Sequence, residues 1–142
     1  MANHQVRVQE FFDAPPQKVF AVFADHAKLG RILGIPCKRI KDSNDPKNPN
    51  GLGSVRKLAF GLAAFEETIT AFEPNKLIEY RVTRGSPIKN HLGHMEFELL
   101  NGGTRFDYTI DFDAKIPFTG GLIAFILKSG LTKGMRQVMK MV

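Results

Sequence analysis

Between residues 4 and 13 apolar and polar side chains alternate, with Val6, Val8 and Phe12 on one side, and this period of two predicts a β-strand. The pattern stops at Ala14-Pro15-Pro16. A proline in a first helical turn lacks an N–H that would have no helical partner there, so residues 13–16 also read as a helix start. Val19, Phe20 and Phe23 then recur at about one helical turn, predicting a short helix, and a second short helical piece, 27–33, ends at Gly34. Residues 36–41 predict a short strand, and 42–53, rich in Asp, Asn, Pro and Gly, a long exposed loop.

Four longer strands are predicted at 54–60, 63–72, 76–84 and 90–100, and a fifth at 104–114 after Asn101-Gly102-Gly103. Links this short favour antiparallel hairpins, hence a meander and not a series of parallel crossovers. Alternation is clearest in the fifth. Phe106, Tyr108, Ile110 and Phe112 share one face, and Arg105, Asp107, Thr109 and Asp111 the other, so one side packs inward and one is wet.

After residues 115–120 the pattern becomes that of one helix of about 20 residues, roughly 30 Å long, with Thr119 as the expected N-cap. At 100° per residue Ile123, Leu127, Leu131, Met135, Val138 and Val142 form one stripe, while Lys128, Lys133, Arg136 and Lys140 lie around the other side. Leu122, Phe125 and Ile126 fall off the stripe, as expected of an end that plugs an opening or is covered by something. Gly121, Gly130 and Gly134 each weaken a helix interior by up to about 1 kcal/mol relative to alanine, so tertiary contacts must hold it.

Length turns these elements into one expected domain, 1–142. With 43% hydrophobic and 24% charged residues the chain has the balance of a globular protein, not a disordered or fibrous one. The first residues lack the apolar core of a secretory signal, and the longest apolar run, Leu122 to Leu127, is far short of the roughly 20 residues of a membrane span. A cytoplasmic location is expected. The lone Cys37 has no disulfide partner in the chain and reads as a small core residue. Charge is placed unevenly: residues 1–113 hold fifteen Lys or Arg against all fourteen acids, whereas 114–142 hold five bases and no acid.

Four stretches carry a family resemblance: Phe12-Asp13-Ala14-Pro15-Pro16-Gln17-Lys18-Val19-Phe20; Gly51-Leu52-Gly53-Ser54-Val55-Arg56; Glu66-Glu67-Thr68-Ile69-Thr70-Ala71-Phe72-Glu73-Pro74 with Leu77-Ile78-Glu79-Tyr80-Arg81-Val82; and Gly102-Gly103-Thr104-Arg105. In this order and spacing the chain resembles the SRPBCC superfamily of START-like and birch-pollen-allergen-like proteins, and within it the polyketide cyclase/dehydrase and lipid transport subgroup. The resemblance implies an α+β helix-grip fold, a curved antiparallel sheet wrapped around a long C-terminal helix with two short helices after the first strand. It also implies a cavity for an apolar ligand between sheet and last helix. It does not imply a reaction. Phe60-Gly61-Leu62-Ala63-Ala64 lies where plant abscisic-acid receptors of the superfamily carry a Ser-Gly-Leu-Pro-Ala gate, but without the serine and proline, so no hormone-sensing role follows.

Within such a cavity the expected ligand-binding residues are Tyr80, His91, Met95, Tyr108 and the inward one of Glu66 and Glu67, with Phe125 at the mouth. Glu66 and Glu67 are adjacent in a strand, so one faces in; it either meets a ligand hydroxyl or forms an internal pair with Arg56 or Arg81. His91 shares a face with Met95, Phe97 and Leu99, and His94 shares the wet face with Glu96 and Glu98. The two histidines could hold one metal only if Gly93 sat in a bulge, so no metal is expected. Motifs for nucleophilic, phosphate-binding or zinc-hydrolase chemistry are missing, no cofactor is expected, and no nucleic-acid motif is present.

The sequence therefore points first to binding of a lipid, isoprenoid, polyketide or aromatic metabolite. Its alternative is a small cyclase or dehydratase acting on a polyketide-like substrate. A third reading is an interaction module that uses the basic last helix on an anionic membrane, in transient contact, or on a partner, with residues 61–64 as the lip opposite Leu122, Phe125 and Ile126.

Overall fold

The computed structural model describes residues 3–60 and 63–142. β1 (His4–Phe12) leads into α1 (Pro16–Ala24) and α2 (His26–Leu33); then come β2 (Cys37–Lys41), β3 (Val55–Phe60), β4 (Ala63–Glu73), β5 (Leu77–Arg84), β6 (Ile88–Leu100), β7 (Gly103–Ala114) and α3 (Gly120–Met141). The strands form one seven-stranded sheet in the order β1-β7-β6-β5-β4-β3-β2, every pair antiparallel. This is the meander the short links demand, with the first strand returning to the edge of the last. Register shifts at Arg39/Lys41, Glu66/Glu67, Ile69/Ala71 and Lys89/Leu92 bend strands locally, and the sheet is curved and open.

Alternation decides what fills its inner face. Val6, Val8 and Phe12 of β1, Ile78 and Tyr80 of β5, Met95 and Phe97 of β6, and Phe106, Tyr108, Ile110 and Phe112 of β7 are all buried. One end of this face is aromatic: Phe20 and Phe23 of α1 pack on Phe97 and Phe106, with Phe23 stacked on Phe106 at 4.3 Å between centroids. Leu99, expected to continue the buried row, is exposed, because β6 there runs past α1 toward the hairpin tip.

The stripe on α3 buries Leu131, Met135 and Val138 and half-buries Ile123 and Leu127. The helix runs closest to β1 and α2. A Cβ on Gly134 would come within 2.8 Å of Ile32 Cγ2 and 2.9 Å of the Ile32 carbonyl oxygen, so this glycine is what lets α2 approach α3. Thr119 precedes the helix but does not cap it: its hydroxyl donates to the Ile116 carbonyl at 2.7 Å. No helix among the described residues is long and apolar enough to cross a membrane.

Candidate functional site

Across the middle of the inner face the apolar pattern is broken by a row of polar side chains. Arg56 of β3 stands directly opposite Glu67 of β4 in the antiparallel register. Arg56 is 1% exposed and Glu67 6%. Arg56 Nε donates to Glu67 Oε1 at 2.9 Å; Nη2 is also 2.9 Å from that oxygen but is not aligned to hydrogen-bond it. Burial pushes the Glu67 carboxyl up, against the pull of the guanidinium. Glu66 lies on the opposite face and is half-buried, so Glu67 is the inward glutamate and the expected internal pair with Arg56 is formed.

Tyr80 of β5 lies beside this pair, its ring 4.5 Å from the Arg56 guanidinium carbon, a cation–π arrangement strengthened by the low local polarity. That ring lies flat over Gly93 of β6, its partner in register; a Cβ at Gly93 would fall 2.2 Å from Tyr80 Cζ. The Tyr80 hydroxyl is hydrogen-bonded to the hydroxyl of Tyr108 on β7. Burial pushes both phenols above their usual range. Met95, fully buried, is the register partner of both Ile78 and Tyr108 and supplies an apolar floor next to the phenols.

His91 completes the row through an irregularity in the sheet. The regular β5–β6 ladder stops at Tyr80 opposite Gly93. Past that point the Val82 N–H is taken by His91 Nδ1 at 3.0 Å. An Nδ1 that accepts carries no proton, so neutral His91 has its proton on Nε2 and presents a donor. Burial, with Arg56 and Arg81 nearby, lowers its pKa to about 4. The strand irregularity sits between Lys89 and Leu92, not at Gly93, so His91 and His94 keep to opposite faces. His94 instead joins Glu79 and Glu96 at the surface, at 3.4 and 2.8 Å.

Of the expected ligand residues, Glu67, Tyr80, His91, Met95 and Tyr108 are brought together. Phe125 stands apart, exposed on α3, and the expected lip at 61–64 falls largely outside the described residues. Arg56, which the sequence offered only as a partner for a glutamate, is the centre of the row. Close by, His26 of α2 is buried with Nε2 3.3 Å from Ser54 Oγ and Nδ1 unpartnered among the described residues. Burial, with Arg56 and Arg39 adding positive charge, lowers its pKa to about 3. Ser54, just before β3, and Arg56 and Leu58 within it are all buried on the same side. Cys37 is half-buried, its thiol pushed up to about 11 by burial. A shallow groove between the start of α1 and the ends of β4, β5 and β6 shares none of the row's residues.

A curved antiparallel sheet gripping one long C-terminal helix, with a polar row on an apolar inner face, defines a START-like helix-grip protein. The chain belongs to the polyketide cyclase / dehydrase and lipid transport family, whose model matches residues 3–142. Among solved structures it is similar to a START superfamily protein from Mycobacterium smegmatis, at 15% identity over 97% of this chain and 96% of that one, with a TM-score of 0.79. TTHA0849 from Thermus thermophilus is 17% identical over 97% and 96%, with a TM-score of 0.78. Ara h 8.0201 is 15% identical over 96% and 98%, with a TM-score of 0.70. At these identities the likeness is one of fold. No match is found among curated proteins.

Proposed function

We propose that this chain is a cytoplasmic, single-domain binding protein for an apolar small molecule that carries a carbonyl, carboxylate or similar acceptor oxygen, held between the sheet and α3. Family membership supports the apolar class of ligand. The observation that carries the polar part is the donor surplus of the buried row. Arg56 Nη2 is buried with no aligned acceptor, and the Val82 bond at Nδ1 leaves the Nε2–H of His91 free to meet a ligand. The two phenols share one bond between them. A buried donor such as Arg56 Nη2 favours a ligand that brings acceptors, because leaving it unpaired costs about 1–3 kcal/mol. Ile69, Ile78, Met95, Ile110, Leu131 and Met135 pack in the core beside the row and would part to give the rest of the molecule apolar surface. Its partner on this reading is the ligand.

A polyketide cyclase or dehydratase would need a base at the same place. His91 Nδ1 is occupied, Glu67 is held by Arg56, and burial keeps both phenols protonated, which favours binding over proton abstraction. The test is competition with an apolar fluorescent carboxylic acid. Saturable binding, displaced by apolar ketones and acids but tenfold less well by matched hydrocarbons, is expected, and Tyr108→Trp should block it or report it. Absence of saturable binding to the folded protein, or equal displacement by hydrocarbons, would overturn the reading.

A further inference from the structure

The outward face of α3 changes chemistry along its length. Its first two turns expose Leu122, Phe125 and Ile126, and the approach to the helix exposes Ile116 and Phe118. Phe118 has a φ of 66° and a wholly exposed ring. A bulky side chain rarely adopts that left-handed backbone, and here it places a phenyl group in water. Further along, the same outward side carries Lys133, Arg136 and Lys140, all exposed, and exposed Lys115 flanks the apolar end. Lys128 is otherwise engaged, donating to the Arg7 carbonyl of β1. Residues 114–142 contain no acid.

We propose that this face docks on an anionic lipid bilayer, with Ile116, Phe118, Leu122, Phe125 and Ile126 entering the acyl boundary and Lys133, Arg136 and Lys140 lying on the headgroups. The occupant is argued from charge. A contiguous exposed apolar patch marks an interaction surface, and a purely basic flank selects a partner of negative charge. In a two-fold dimer through this face, the two copies would bring the same bases together without a single acid from the segment to offset them. The docking does not depend on a ligand in the sheet, so it can fail while the ligand reading stands, and the reverse.

The test is flotation of the full chain with vesicles of phosphatidylcholine alone and with added phosphatidylserine, at low and high salt, beside sedimentation without vesicles. All four substituted positions are exposed, and thermal unfolding confirms that each variant is folded. Binding to the phosphatidylserine vesicles only, weakened by salt, is expected. Phe118→Ser with Phe125→Ser should cut it tenfold or more, and Lys133→Gln with Arg136→Gln by about 25-fold, at roughly fivefold per base. Binding that ignores the anionic lipid, that is unchanged in both double variants, or that is absent from both vesicles would overturn the proposal. Self-association abolished by the phenylalanine variant, without vesicle binding, would give the face to a second copy.

Discussion

Arg56 and Glu67 face each other across β3 and β4, and their ion pair at 2.9 Å is almost wholly out of water. Replacing one partner strands the other's charge inside the protein, which costs about 3–5 kcal/mol. Replacing both by apolar residues removes two desolvated charges together. Arg56→Met and Glu67→Leu should therefore each lower the urea midpoint strongly, and the double variant should recover much of the loss. The recovered protein should still bind an apolar probe but no longer prefer acceptor-bearing competitors. Equal loss in all three proteins would mean the pair is not the unit described.

The two buried histidines make stability depend on pH. An exposed imidazole titrates near about 6.5, whereas His91 is lowered to about 4 and His26 to about 3. Between these values the unfolded chain binds protons that the folded chain refuses, so this stability is complete above about pH 6.5 and is lost as pH falls through the folded values. For His91 the proton must also displace the Val82 N–H. Each histidine should cost about 2 kcal/mol between pH 6.5 and pH 5. His91→Gln and His26→Asn should each flatten the pH dependence of urea unfolding. An unchanged slope in both would show that these rings titrate in water.

Two glycines of α3 should respond oppositely to the same change. A Cβ at Gly130 meets nothing within 4 Å, so Gly130→Ala should gain up to about 1 kcal/mol of helix propensity. Gly134→Ala gains the same propensity but drives a methyl into Ile32 and its carbonyl, so it should be net destabilising by about 1–3 kcal/mol. Thermal unfolding of the two variants decides it.

Strand order and the inner face of β7 were legible because alternation there is unbroken and the links are short. The polar row was only half legible. Tyr80, His91 and Tyr108 sit in strands whose parity is clear, but in β3 the apolar residues Val55, Leu58 and Ala59 do not keep to one face, so Arg56 was expected only as one of two candidate partners, with Arg81, for the inward glutamate. The hairpin register would have found it: Phe60 pairs with Ala63, and counting back equally on both sides places Arg56 opposite Glu67. The role of His91 was not legible, because it depends on where the β5–β6 ladder ends, and nothing in composition marks that point. Thr119 misled for a similar reason. Its backbone is helical, with φ −97° and ψ −10°, and its hydroxyl donates to the Ile116 carbonyl and accepts from none of the helix N–H groups.

Gly93 is where sheet and site constrain each other most tightly. It is paired on both sides, with Tyr80 of β5 and Ile110 of β7, so its backbone cannot retreat. A methyl there would overlap the Tyr80 ring, with 2.2 Å to Cζ and 2.3 Å to Cε1. The ring must therefore lift, and in lifting it loses both the Arg56 guanidinium on its face and the bond to Tyr108. Gly93→Ala should destabilise by about 1–3 kcal/mol from overpacking and weaken binding of the acceptor-bearing probe together with stability. Tyr80→Leu, which shortens the obstructing side chain, should make the same Gly93→Ala change much milder, a coupling that a double-mutant cycle in urea measures directly. If the two changes prove additive, the ring does not rest on Gly93 in solution, and the polar row is not held in the geometry described.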